Sequence, residues 1–320
     1  MRYALAPMEG VTGHVFRQAH AACFGPADKY LTPFLSPNQN LCFTSRERAE
    51  VLPEHNDGLN VVPQLLTSNA AHFLWASREL AAMGYREVNL NLGCPSGTVS
   101  AKGKGAGFLA YPDRLERFLD QVFSYVTIDV SVKTRIGKAG ADEWDSLLEL
   151  FNRYPICELT VHPRVQADFY QGRPNRRAFR KAVGASTAPL CYNGDLFSLP
   201  DLFAFTAVFP EVDRVMAGRG AVADPSLLRQ FQGGAPAGKE ELRQFHALVY
   251  AGYQRVMSGD RAVLARMKEL WSYLLFSFTG RERYVRRFRK VNFLPEYEDL
   301  VDELFRREQT VSAGFDPALL

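Results

Sequence analysis

The sequence predicts a TIM (β/α)8 barrel followed by a small C-terminal helical bundle. Three observations lead there. Eight short apolar runs alternate with helical stretches, polar and glycine residues collect at the ends of those runs, and the strand pattern stops after about Phe231. A barrel of this class takes about 250 residues; the chain's 320 leave room for one small additional unit.

The eight runs are Tyr3–Ala6, Tyr30–Phe34, Asn60–Leu65, Glu87–Leu92, Asp129–Lys133, Glu158–Val161, Pro189–Tyr192 and Arg214–Ala217. Several are rich in Val, Leu and Ile without clean alternation, as parallel strands covered on both faces are. Between them, Asn69–Met83 places Ala70, Phe73, Leu74, Leu80 and Ala81 near one helical face, and Gly84 follows as a stop. Leu115–Tyr125 repeats the pattern with Leu115, Phe118, Leu119 and Val122. Strands alternating with helices argue for βαβ units, and eight units for closure into a barrel. Gln232 to Gly238 reads as a linker. It divides the chain into a barrel domain, 1–232, and a helical domain, 239–320. Helices are expected there over Lys239–Met257, Asp260–Phe278, Arg281–Phe288 and Tyr297–Glu308.

Composition narrows the function classes. An apolar fraction of 47% is ordinary for a globular chain, and a net charge of +3 is too small to predict a nucleic-acid partner by itself. Cys23, Cys42, Cys94, Cys157 and Cys191 are widely spaced and form no Cys-x-x-Cys pair, so neither a disulfide framework nor a metal site is expected. A reducing cytoplasm is the natural compartment. The N-terminus lacks a signal-peptide core, and no run of about 18 apolar residues predicts a membrane span.

Chemistry in such barrels sits at the C-terminal ends of the strands, and the unusual residues fall there. The first run ends in Ala6-Pro7-Met8-Glu9-Gly10, the third at Gln64, the fourth in Asn91-Leu92-Gly93-Cys94-Pro95-Ser96, and the fifth in Lys133-Thr134-Arg135. The sixth ends in His162-Pro163-Arg164, the seventh in Asn193-Gly194-Asp195 and the eighth in Gly218-Arg219-Gly220. The last two positions are where these barrels commonly bind phosphate. Gly194, Gly218 and Gly220 would let backbone N–H groups approach it, with tight turns as the alternative reason for them. Arg219 adds a forked donor.

Lys133 ends a buried strand and needs an acceptor, either a ligand such as a flavin ring or an internal salt bridge, for example with Glu9. Cys94 lies in a strand-end loop, where a thiol serves as proton donor or nucleophile. Cys23, Cys157 and Cys191 read as small buried hydrophobes. His162 shares the rim, with a structural role about equally open. The glycine-rich run 102–107 has neither a Rossmann nor a P-loop spacing, so any nicotinamide donor would bind transiently.

In this order the motifs resemble the tRNA-dihydrouridine synthases, a family of FMN-dependent barrel enzymes. The resemblance rests on Ala6-Pro7-Met8-Glu9-Gly10-Val11-Thr12, Asn91 to Ser96 followed by Lys104-Gly105-Ala106-Gly107-Phe108-Leu109, Val132-Lys133-Thr134-Arg135, Thr160 to Arg164, Asn193-Gly194-Asp195 and Ala217-Gly218-Arg219-Gly220. It implies that Pro7, Met8 and Glu9 line the flavin and that Gln64 and Lys133 bond its ring. It implies His162 nearby, with Asn193, Gly194, Asp195, Gly218 and Arg219 at the ribityl phosphate end. Cys94 would protonate C5 of uracil while hydride reaches C6, NADPH being the transient reductant. Asn91, Arg135 and Arg164 would contact the target nucleotide, and the partner would be tRNA bound by a monomer.

RNA binding needs basic surface away from the pocket. One candidate is the stretch Arg281 to Lys290, with Arg283, Arg286 and Arg287 as the expected contacts. The other is Arg173, Arg176, Arg177, Arg180 and Lys181. The tail also carries Glu296, Glu298, Asp299, Asp302 and Glu303, which makes it dipolar. Three features depart from the usual pattern: His162-Pro163-Arg164 in place of His-Gly-Arg, Pro63 directly before Gln64, and no glycine after Gln64. Glu9 and the short tail bearing Trp271 lean toward the DusC-like subgroup. The competing readings are an FMN barrel oxidoreductase acting on a small molecule such as dihydroorotate, a synthase acting on ribosomal RNA, and a flavin-bearing RNA-binding protein without catalysis.

Overall fold

The computed structural model describes residues 1–312 and 314–319. Among the described residues nine parallel strands are present: β1 (Arg2–Leu5), β2 (Lys29–Leu31), β3 (Val61–Val62), β4 (Gln64–Leu65), β5 (Glu87–Leu92), β6 (Asp129–Arg135), β7 (Leu159–His162), β8 (Leu190–Tyr192) and β9 (Arg214–Ala217). Their order is β3-β2-β1-β9-β8-β7-β6-β5-β4. The two ends of that order are neighbours in sequence, separated only by Pro63. The expected third strand is therefore present but split, because proline has no N–H to give the ladder. The Pro63 carbonyl still accepts from Asn89 N at 2.8 Å, and Leu35 bridges Leu65, so the ring closes. The barrel thus has eight strand positions, one of them broken.

Side chains alternate across each strand. Ala4, Ala6, Leu31, Val62, Cys191 and Met216 form a small core of their own. Tyr3, Leu5, Tyr30, Val61 and Val215 turn the other way into the layer shared with the helices. Charged groups gather beside the starts of the strands: Lys29 Nζ lies 3.1 Å from Glu87 and 3.2 Å from Glu158, and Arg214 also reaches Glu158.

After β9 the chain runs through helices Arg219–Ala223 and Leu227–Phe231 and an irregular stretch over 232–238. Four further α-helices follow, Lys239–Val256, Asp260–Leu274, Arg281–Lys290 and Leu294–Arg307. They share one continuous core with the barrel's outer layer. Phe245 sets its ring edge against Phe16 at 5.4 Å, and Ser277 donates to the Ala223 carbonyl. Trp271 is fully buried and donates to Tyr297 Oη at 2.8 Å; the same hydroxyl meets His246 Nε2 at 2.5 Å. Burial holds His246 neutral, with its pKa pulled down to about 3. No helix among the described residues is long and apolar enough to cross a membrane.

One buried ion pair fixes the loop after β1. Arg17, fully buried, donates to Glu50 Oε2 at 3.0 Å, the Thr12 carbonyl at 3.1 Å, the Glu50 carbonyl and Asn56. It ties residues 8–13 to the helix Ser45–Val51. Breaking such a pair from one side strands a charge in low dielectric, at about 3 kcal/mol or more. Glu50→Ala is therefore expected to lose about 3 kcal/mol of stability and Glu50→Gln clearly less; denaturant unfolding measures both, and an unshifted Glu50→Ala midpoint contradicts this role for the pair.

Candidate active site

A cavity of about 550 Å3 opens at the C-terminal ends of the strands, within the usual size range of small-molecule sites. Pro7, Met8, Glu9, Gln64, Asn91, Cys94, Lys133, Arg135, His162, Asn193, Gly194, Asp195, Gly218 and Arg219 all line it. Residues drawn from seven strand ends thus converge on one space.

The wall beside Cys94 is built on amides. Asn91 Oδ1 accepts from the backbone N–H groups of Gly93 and Cys94, at 3.0 and 2.9 Å. Its Nδ2 donates to Gln64 Oε1 at 2.7 Å, Gln64 Nε2 to Asn89 Oδ1 at 2.8 Å, and Asn89 Nδ2 to Ser131 Oγ at 2.8 Å. Asn91 therefore holds the Cys94 loop while lining the cavity. Gln64 has both ends of its amide engaged within this chain of bonds.

The glycine-rich run supports the same loop from outside. Ala106 N donates to the Cys94 carbonyl, and a Cβ on Gly105 would lie 3.0 Å from that carbonyl oxygen and 3.1 Å from Cys94 Cβ. Gly105 also has φ +55°, in the left-handed region. Burial pushes the Cys94 thiol above its ordinary pKa, against the opposing pull of the Ser96 backbone and the Lys133 and Arg135 cations. The sulfur therefore stays a protonated thiol at neutral pH, which suits a proton donor better than a nucleophile.

The neighbouring strand end, that of β6, is cationic. Glu9 bonds Arg46 at 2.6 Å, so it is not the partner of Lys133. No carboxylate pairs with Lys133 among the described residues. Burial, and then the neighbouring Arg135 guanidinium, pull its ammonium down to about 8. Arg135 donates to the carbonyls of Gly93 at 3.0 Å and Val165 at 2.8 Å, with Tyr170 5.4 Å from its guanidinium.

His162 Nε2 lies 3.1 Å from Arg164 Nη1. A guanidinium can only donate, so Nε2 accepts. Burial and the surrounding cations hold this ring neutral, well below its ordinary pKa. Its proton is therefore on Nδ1.

At the ends of β8 and β9, Asp195 bridges Arg164, at 2.5 and 2.9 Å, and Arg219, at 2.9 Å. Asp195 thus orients Arg219. Arg164, expected to touch substrate, does not line the cavity. Its remaining donors go to the carbonyls of Gln171 and Gly172, which makes it a strut behind the wall. Asn193 Nδ2 donates to the Met216 carbonyl.

Close packing explains the three glycines directly. A Cβ would lie 2.7 Å from Tyr192 Oη at Gly194, 2.4 Å from the Leu196 carbonyl at Gly220, and 3.2 Å from Ala6 Cβ at Gly218. The Gly218 contact also presses against Met8, which joins the first strand end to the last.

Several wall residues escaped the sequence reading. Tyr170, half-exposed, lies over Arg219 at 4.4 Å; Glu269, Tyr273 and Pro317 come from the helical tail. Asn89, behind the wall rather than in it, had a signal, since it shares the face of Asn91 two residues along β5. The others are brought in by tertiary packing and had none.

The expected RNA contacts lie on the helix Arg281–Lys290 and do not line the cavity. Arg283 reaches Glu308 at 3.4 Å, and Arg287 forms a two-pronged pair with Glu303 at 2.6 and 3.0 Å; Arg286 is exposed. In the second basic candidate, Arg180 pairs with Glu211 and Lys181 with Asp145, while Arg173, Arg176 and Arg177 are exposed.

Known proteins resemble this chain over most of its length. A family model described as dihydrouridine synthase matches residues 4–309. A probable tRNA-dihydrouridine synthase 1 of Synechocystis is 28% identical, over 94% of this chain and 86% of the relative. A tRNA-dihydrouridine(16) synthase of Neisseria meningitidis is 25% identical, over 97% of this chain and 96% of the relative. Among solved structures, the old yellow enzyme of Trypanosoma cruzi matches with TM-score 0.54 at 10% identity, over 81% of this chain and 95% of its own. Morphinone reductase in complex with tetrahydroNAD matches with TM-score 0.52 at 14% identity, over 76% and 90%. At those identities the structural matches speak for the barrel fold alone.

Two outcomes follow from the site's geometry. Asn91→Ala removes the acceptor of two backbone N–H groups, so hydrogen exchange at Gly93 and Cys94 is expected to quicken about tenfold; unchanged protection there refutes the holding role. Lys133 has a folded-state pKa near 8, below its unfolded value. The unfolded chain then binds more protons between those values, so this group's penalty is full at pH 7 and fades as pH rises through that window. Lys133→Met should raise the melting temperature of ligand-free protein, and raise it more at pH 7 than at pH 10.

Proposed function

This chain belongs to the dihydrouridine synthase family, and on that premise we propose that it reduces the C5–C6 double bond of specific uridines in tRNA to 5,6-dihydrouridine. In this reading FMN is the resident cofactor, NADPH the transient reductant and the cytoplasm the compartment. The observation that carries the proposal is one cavity lined by a protonated thiol, Cys94, and by Lys133, a cation without an acid partner among the described residues.

The residues present fit a flavin phosphate. The unpaired Lys133 ammonium suits an electron-rich ring edge, the neutral His162 offers Nδ1–H, and Arg219 keeps donors beyond the one given to Asp195. Lys133, Gln64 and His162 would therefore hold the ring, and Asn193, Gly194, Gly218 and Arg219 the ribityl phosphate end. Bound FMN supplies hydride for C6 of the uracil.

The rest of the chemistry belongs to the chain. A uridine must leave its stack to reach a cavity inside a barrel. Arg135, with Nη2 still available, is placed to bond a carbonyl of the entering base. Hydride addition at C6 leaves an electron-rich C5 that requires a proton. Cys94 Sγ holds that proton because burial keeps it on sulfur, and Asn91 keeps the loop at the wall. The helical tail, 239–320, serves as the RNA-binding unit, with Arg283, Arg286 and Arg287 as contacts.

Purified protein is expected to be yellow and to release FMN on denaturation; colourless protein that FMN cannot reconstitute sinks the cofactor assignment. Mapping dihydrouridine in total RNA from a strain lacking this gene tests the substrate. The map is read first at position 16 of tRNA, the position in the name of one relative matched over nearly its full length. If no site is lost, or none returns on re-expression, tRNA reduction is wrong. Cys94→Ala should keep its flavin and slow uridine reduction by about 100-fold or more. Because the thiol's pKa is raised, the wild-type rate should hold through neutral pH and fall only above the ordinary thiol range; a fall between pH 6 and 8 would remove Cys94 as the acid.

A further inference from the structure

After its last α-helix the chain returns to the barrel. Phe278 bridges Thr310 in antiparallel fashion, and Ser312 Oγ donates to Asp224 at 2.8 Å and lies 3.1 Å from Gln230 Oε1. Phe315 is then buried against Phe197, Tyr273 and Phe276, and Pro317 reaches the cavity wall. This returning segment lies beyond the stretch matched by the family model.

Its point of contact with the site is Arg219. That guanidinium lies against three aromatic rings, Tyr170 at 4.4 Å, Phe197 at 5.1 Å and Phe315 at 5.7 Å. The rings come from three separate segments: the loop after β7, the loop after β8, and the C-terminal tail. An aromatic ring attracts a cation without using any of its N–H groups. A carboxylate uses them, and Asp195 takes one from Arg219 at 2.9 Å. Of the five N–H groups on a guanidinium, the aromatic surroundings therefore fix direction and leave the others for an anion.

We propose that Phe315 is a positioning residue for Arg219, and that the C-terminal tail thereby forms part of the site for the phosphate group of the cofactor. The proposal rests on the flavin reading above and adds to it a contribution from outside the barrel. Tyr170 and Phe197 belong to barrel loops. Phe315 alone among the three rings makes phosphate binding depend on the far end of the chain.

The test separates phosphate from ring. FMN and riboflavin share the isoalloxazine and differ only in the phosphate, so the ratio of their dissociation constants isolates the phosphate contact. Full-length wild type, Phe315→Leu and Phe315→Tyr are titrated with each flavin and followed by fluorescence. For Phe315→Leu the FMN advantage over riboflavin should shrink about threefold to tenfold, with riboflavin affinity unchanged; Phe315→Tyr, which keeps the ring, should retain the wild-type ratio. An unchanged ratio in Phe315→Leu, or equal weakening of both flavins, shows that Phe315 is scaffold only and overturns the proposal. If Phe315→Leu does not fold, Phe315→Met is measured and read in the same way. Failure of wild type to bind FMN at all overturns the flavin reading itself, a result distinct from either of these.

Discussion

Asn91 is the joint on which this site turns. Its oxygen takes two backbone N–H groups of the Cys94 loop, while its nitrogen leans on Gln64, which leans on Asn89 and Ser131. Each member is buried, where a hydrogen bond is electrostatically stronger and an unpaired polar group more costly than in water. The loop's position is therefore inherited from three barrel strands, β4, β5 and β6. The split in the third strand belongs to the same construction: Pro63 surrenders a ladder bond, and the next residue is the Gln64 whose amide links Asn89 to Asn91. The proposed role of Cys94 as proton donor needs close placement, and a strand-supported loop achieves that better than a free one.

The charges around the cavity form a second layer of the same design. Lys133, Arg135, Arg164 and Arg219 gather near it, and Asp195 faces only the last two. Arg164 uses its donors on protein groups, which leaves it structural. Burial, and then this imbalance, depresses the Lys133 ammonium and keeps His162 neutral. By itself this is a cost to folding. An anionic ligand reverses its sign, because the same cations then lie beside opposite charge in a site shielded from water. The arrangement is thus poor for the stability of the bare protein and good for retention of a phosphorylated, electron-rich cofactor.

Much of this was legible in the sequence, for a physical reason. In a parallel barrel, the end of every strand faces the site, so local motifs such as Asn91 to Ser96 or Gly218 to Gly220 mark the rim without knowledge of long-range contacts. The eight strand positions and the helical tail were read on the same local grounds. Partnerships were not legible. Arg164 and Arg135 are both arginines just after or at a strand end, yet only one reaches the cavity; the difference lies in Asp195, Gln171 and Gly172, which turn Arg164 inward. Asn91 was placed correctly at the rim, but the partner of its Nδ2, Gln64 on the neighbouring strand, was not legible. Glu269, Tyr273, Phe315 and Pro317 had no local signal at all, because their meaning comes from a tail that folds back over the barrel.

The ion pairs of the tail bear on how RNA would be held there. Of the three arginines expected to meet RNA, Arg283 and Arg287 already face Glu308 and Glu303, and Arg286 stands exposed. An arginine held by a carboxylate presents little net charge at a distance, so long-range attraction from this helix is weaker than its sequence suggests. At contact the balance changes. The Arg287–Glu303 pair is a surface pair and weak, and a phosphate that displaces such a carboxylate regains a charge-assisted bond. Recognition by this helix would then depend on the shape that brings phosphates within reach rather than on steering from afar. The same shape dependence is what an enzyme acting on a folded RNA requires, since bare electrostatic attraction would hold any RNA equally well.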